Sequence, residues 1–122
     1  MDLLYFEFDA VVRSLPSSSV VEVLPIGFLT PVPTAPPAVR GVIQTHGQVV
    51  PVIDLSLSPT RPIRPGAPLV IVEVGDQRFR VALLVEYLHD APPVGSLGER
   101  REVVPLDFSS AILDLRRRIE RR

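Results

Sequence analysis

The sequence predicts a mainly β domain, and three observations carry that reading. Fourteen prolines are spread over 122 residues, and a proline inside a helix removes a hydrogen bond and clashes with the preceding turn, which argues against a helical bundle. Between the prolines lie short runs rich in Val, Ile and Leu, bounded by turn residues, the pattern of strands. Gly47 stands between two such runs, where a tight hairpin needs a residue free to take positive φ. The length is that of one domain, 1–122, with a modest core.

Each element follows in order. Residues 3–8 (LLYFEF) alternate loosely and form the first strand. Residues 13–19 are turn-like, and residues 17–23 have room for one helical turn capped by a serine. Residues 26–37 are an extended, proline-studded connection. Residues 40–46 and 49–55 are strands joined by Gly47-Gln48, with glycine in the first position of a type II′ turn. Pro51 lacks an N–H, which places the second of these strands at an edge or a bulge. Residues 59–68 (PTRPIRPGAP) are a loop. Residues 69–74 and 78–84 make a second hairpin around Gly75-Asp76-Gln77, with the strand continuing through 85–88. Residues 91–98 are a loop and 103–106 a short strand. A helix over about 109–121 is capped by Ser109, and Phe108, Ala111, Ile112, Leu115 and Ile119 form its apolar stripe. Its last turns are basic, which suits the negative end of the helix dipole.

Composition excludes several classes of function. A net charge of −1 gives no general affinity for nucleic acid or anionic membrane. The chain has no cysteine, so disulfides, thiolate catalysis and cysteine-ligated metals are excluded. The opening MDLLYFEFD carries acids and no basic region, unlike a signal peptide or anchor. The longest uncharged run, residues 23–39, holds five prolines and a glycine and cannot be a spanning helix. A cytoplasmic location is the expectation.

Motifs of enzyme chemistry are also missing. No nucleophile elbow, phosphate-binding loop or dinucleotide fingerprint occurs. His46 and His89 are the two histidines, far apart in the chain and without ligand spacing, so no metal or other cofactor is expected. Residues 52–56 (VIDLS) share an apolar-Asp start with the aspartic-protease loop, but its glycine is absent and Leu55 replaces the hydroxyl residue. Asp54 therefore reads as an acid ending a strand. The P-x-x-P pieces at Pro33–Pro36, Pro59–Pro62 and Pro62–Pro65 read as rigid loops before they read as ligands of aromatic grooves. Residues 100–122 carry seven Arg against four acids, but lack the interleaved aromatics of a nucleic-acid surface. What is left is a surface that binds proteins through apolar contact.

Residues 40–55, RGVIQTHGQVVPVIDL, resemble the signature of CheW-like domains, the coupling proteins of bacterial chemosensory arrays, whose pattern is roughly K/R-G-x-x-N-x-R-G-x-x-x-P-[VI]-[VI]-D-L. Pro37, Arg40, Gly41, Gly47, Pro51 and residues 52–55 fit it. Residues 3–8 resemble the family's first strand, Val20-Val21-Glu22-Val23 its V-x-E-I segment, and residues 70–88 its second hairpin. The resemblance implies two small SH3-like β-barrels side by side and no catalysis. It further implies a groove between the lobes that grips the cytoplasmic tip of a chemoreceptor, and other faces that bind a CheA-type histidine kinase. Carried over by position, the receptor-binding residues are Val20, Glu22, Gly41, His46 and Gly47, with Val85 and Leu88.

Three departures from that pattern bear on function. His46 stands where the family usually has an arginine that pairs with the acid matching Glu22, and an ordinary imidazole is charged only near pH 6.5 and below. Val85-Glu86 replaces the usual Val-Asp. Most consequentially, residues 90–98 lead almost directly into residues 102–106, where relatives carry a longer segment of the second lobe. The expectation is an adaptor that keeps receptor binding while kinase coupling is weakened or lost, with a homodimer covering the exposed barrel edges as a further possibility. An ordinary coupler bridging receptor and kinase, or a free-standing SH3-like peptide-binding module, are the alternatives.

Overall fold

The structure is a computed structural model that describes residues 2–75, 79–95 and 97–107. Among the described residues are nine strands: β1 (Leu3–Phe8), β2 (Val11–Pro16), β3 (Val20–Pro25), β4 (Val39–Thr45), β5 (Gln48–Ile53), β6 (Pro68–Val74), β7 (Phe79–Leu84), β8 (Tyr87–His89) and β9 (Val103–Pro105). They form two sheets, a four-stranded one in the order β8-β1-β2-β9 and a five-stranded one in the order β3-β6-β7-β5-β4. The mainly β, two-lobed architecture expected from the sequence is what the chain adopts. The helix expected over 109–121 lies outside the described residues.

Two cores explain the strand sequences. Leu69 and Ile71 point to one face of β6, where they join Ile43, Val50, Val52 and Ala82 inside the five-stranded lobe. Val70 and Val72 point to the other face and pack with Val81, Leu83 and Ile53 against Phe6, Phe8 and Leu15 of the four-stranded sheet. Both faces of β6 are therefore buried, and its sequence is a continuous apolar run rather than an alternating one. Each such side chain contributes on the order of 1.5–3 kcal/mol through burial.

The five-stranded sheet closes on itself through the segment after β3. Thr30 and Val42 exchange both backbone hydrogen bonds, at 2.9 and 2.8 Å. Leu29 packs into the inner core as this happens. The same register accounts for Pro51. It pairs with Val42 in a non-hydrogen-bonded position, counted from the closing pair Thr45–Gln48, so its missing N–H faces away from β4. On that side the parallel pairing with β7 involves only Val52 and Ile53. Thus β5 is an interior strand, not the edge or bulged strand expected, and Pro51 is tolerated because the ladder starts one residue later.

Other local expectations are corrected. Residues 11–16 are a strand rather than turn-like, because Val12 and Leu15 are buried and β1 supplies the ladder. Asp9 and Ala10 make the intervening two-residue turn with φ of 52° and 60°. Neither is glycine, so no turn signal marked it. Ser17–Ser19 form a single 3-10 turn, but Pro16 stands at its N-cap and no serine side chain caps it. The strand β7 ends at Leu84 instead of running on to residue 88. There Val85 N–H donates to Pro68 O in one sheet and Glu86 N–H to Glu7 O in the other. The chain thus crosses between sheets at this point, and β8 and β9 flank the N-terminal hairpin. The segment after Leu84 thus belongs to the four-stranded lobe.

Candidate interaction surface

The β4–β5 hairpin positions a polar group at each of its ends. At the tip, His46 and Gly47 form the two-residue turn, with φ of 51° and 75°. Both positive values make it type I′, with glycine second, in place of the Gly47-Gln48 type II′ turn expected. A Cβ on Gly47 would meet nothing, so its glycine is needed for conformation alone. The turn presents the His46 ring to β3, where Nε2 lies 2.9 Å from Glu22 Oε2. The His46 side chain is 65% exposed and that of Glu22 35%, so this hydrogen-bonded pair is open to a partner. Glu22 follows a register shift in β3, and such a bulge re-aims the side chains around it.

At the other end of the hairpin, Arg40 sits at a second register shift, between Val39 and Gly41. Its guanidinium donates to Asp54 Oδ2 at 3.0 Å and to Arg61 O at 2.7 Å. Asp54 Oδ1 accepts the Ser56 N–H at 3.0 Å. Both carboxylate oxygens are thus engaged and the side chain is 3% exposed, so Asp54 has scaffold geometry and no free oxygen for acid–base work. Arg40 and Asp54 therefore meet, and His46, at the other end of the hairpin, does not join them.

The residues expected to bind the receptor separate in the same way. Glu22, His46 and Gly47 come together at the hairpin tip. Gly41 is buried in β4, where a Cβ would stand 2.5 Å from Thr30 O, so its role is to let the lobe close. Val20 packs against the inter-sheet core. Val85 is buried at the crossing between sheets, and Leu88 lies on β8 opposite Phe6, partly exposed.

Two further polar clusters were not legible beforehand. Glu7 Oε1 accepts from His89 Nε2 at 3.0 Å and from Arg101 Nη1 at 2.9 Å, tying β1, β8 and the segment before β9 together. The Arg101 hydrogen bond holds the Glu7 carboxyl below its ordinary value; burial opposes this and His89 adds to it. Arg61 pairs with Glu86 and Arg64 donates to Glu86 O at 2.6 Å. These contacts span large sequence separations that no local spacing encodes. Among the described residues, no group of three or more His, Cys, Asp or Glu side chains is arranged to hold a metal ion.

Comparison with known proteins bears on this surface. The profile of the family described as CheW-like domain matches residues 2–95. Protein FrzA of Myxococcus xanthus is 49% identical over 41 residues, 34% of this chain and 26% of that protein. The crystal structure of scaffolding protein TtCheW from Thermoanaerobacter tengcongensis is similar with a TM-score of 0.62 at 24% identity, over 78% of this chain and 62% of that one. That likeness shows the fold. The chain spans under two thirds of the length of either protein.

Proposed function

The chain belongs to the CheW-like domain family, and we propose that it is a non-enzymatic adaptor of a bacterial chemosensory array that binds the cytoplasmic tip of a chemoreceptor, with coupling to a CheA-type histidine kinase weakened or lost. The observation that carries the receptor half is the exposed Glu22–His46 pair, held at 2.9 Å by a strand and a rigid type I′ turn. Among the described residues, the three-residue lengths of β8 and β9 support the kinase half of the reading. Both oxygens of Asp54 being engaged supports the absence of catalysis. No helix among the described residues is long and apolar enough to cross a membrane, which suits a cytoplasmic protein.

Titration with a purified receptor-tip fragment tests the reading. Glu22→Gln removes the charge while keeping shape, and the affinity should fall about tenfold, equivalent to about 1.4 kcal/mol. His46→Arg should strengthen binding, because a guanidinium is a fixed charge with a planar fork of donors for the Glu22 carboxylate. Unchanged affinity in both variants would remove this pair from the interface.

A further inference from the structure

A cavity of about 220 Å³ lies where the chain crosses between the two sheets, lined by Arg40, Asp54, residues 61–64, Ala67 and residues 84–87. Strands rise about 3.4 Å per residue, so the six residues from Arg40 to His46 set it roughly 20 Å from the hairpin tip. It lies away from that tip; Val85 in its wall is among the residues carried over as receptor-binding, and the chemistry of the cavity does not depend on that role. Its walls are mixed. Ala67 and Val85 are buried apolar surface, and Ile63 and Leu84 are partly so.

The charges around it are unevenly matched. Asp54 is paired with Arg40, and Glu86 with Arg61. Arg64 has neutral partners: its Nη2 donates to Glu86 O, and its guanidinium lies 5.6 Å from the centroid of the Tyr87 ring. Among the described residues, one of its five N–H donors is committed to a hydrogen bond. The loop that holds it is stiff. Ala67 N–H donates to Arg64 O at 3.0 Å, with Pro65 second in that turn and Gly66 third at a φ of 72°, the arrangement of a type II turn. The turn fixes the Arg64 backbone, and the bond to Glu86 O with the nearby Tyr87 ring orients its guanidinium, a group whose planar fork recognises carboxylates well.

We propose that this cavity receives an acidic side chain of a partner protein, a glutamate or aspartate flanked by an apolar residue, with the carboxylate on Arg64 and the apolar neighbour against Ile63 and Ala67. The volume selects the occupant, being below the roughly 300–1,000 Å³ of pockets for drug-sized ligands but adequate for one inserted side chain.

The experiment is an NMR titration of the full chain, following the Ala67 methyl. The probes are an acetylated tetrapeptide amide alternating leucine and glutamate, its glutamine counterpart, and glutarate as a free carboxylate. Saturable shifts are expected with the glutamate peptide, at least tenfold weaker for the glutamine peptide and for glutarate. Arg64→Gln should weaken the glutamate peptide at least tenfold. Arg80→Gln, which removes a charge paired with Glu73 elsewhere, should leave it unchanged. Arg64 is exposed, so its variant is expected to keep the wild-type spectrum outside the cavity. Should it not, Arg64→Lys serves instead, keeping the charge and losing the planar fork. Equal binding of the two peptides, equal loss in the Arg80 variant, or no saturable shift would overturn the proposal. Glutarate binding as tightly as the peptide would overturn the protein source.

Discussion

Replacing Asp54 by alanine removes an acceptor from two donors at once, the Arg40 guanidinium and the Ser56 N–H. Arg40 is left largely buried without its counter-charge, and breaking such a pair costs about 3–5 kcal/mol. Asp54→Asn keeps the shape and an oxygen for Ser56, so it should cost less. Urea denaturation of the two variants measures this, and a loss below about 1 kcal/mol for alanine would contradict the scaffold role. Glu7 gives a test in pH. Its carboxyl is held below the ordinary 4.5 in the fold, chiefly by Arg101. A group lowered on folding contributes stability in full above its unfolded value, and loses it as the pH falls through its folded one. Wild type should therefore lose stability on acidification below about pH 4.5 more steeply than Glu7→Gln, and parallel curves would exclude this cluster. The pairing of Glu22 with His46 was legible in advance because the family pattern places an ion pair there. The Glu7 cluster was not, since its partners lie 82 and 94 residues away.

At the scale of the element, the two glycines of the central hairpin separate by mechanism. Gly47 needs positive φ in open space, and alanine there should cost about 1 kcal/mol. Gly41 needs positive φ and the absence of a Cβ beneath Thr30 O, where alanine would push apart the contact that closes the lobe. Gly41→Ala should cost upwards of about 2 kcal/mol. Thermal unfolding ranks the two, and the reverse order would contradict the closure described. The same hairpin shows how far the sequence could be read. Its two strands were visible from their apolar residues, but one glycine does not say whether it is first or second in the turn. Histidine taking the other positive φ put the turn one residue early. Strand β2 was hidden because its turn, Asp9-Ala10, has no glycine and its residues Ser14 and Pro16 look like loop. Its burial comes from strands distant in the chain, with β9 pairing to it in parallel across some 90 residues.

The described residues form two lobes sharing one core, with the exposed Glu22–His46 pair at the tip of the larger lobe and an arginine-lined cavity at the crossing between them. The first lobe has five strands and an inner core of its own beside the shared one. The second depends on the shared core and on two three-residue strands. On the proposed function, the receptor is held by the first lobe, and contacts to the kinase that need the second are weakened. This division of binding between lobes is the central claim, and a paired titration tests it most directly. The purified chain is measured against a receptor-tip fragment and, separately, against the regulatory domain of the histidine kinase from the same genome. Binding to the receptor fragment with little or none to the kinase domain is the predicted result. Tight binding to the kinase domain would contradict it and make the chain a compact but ordinary coupler.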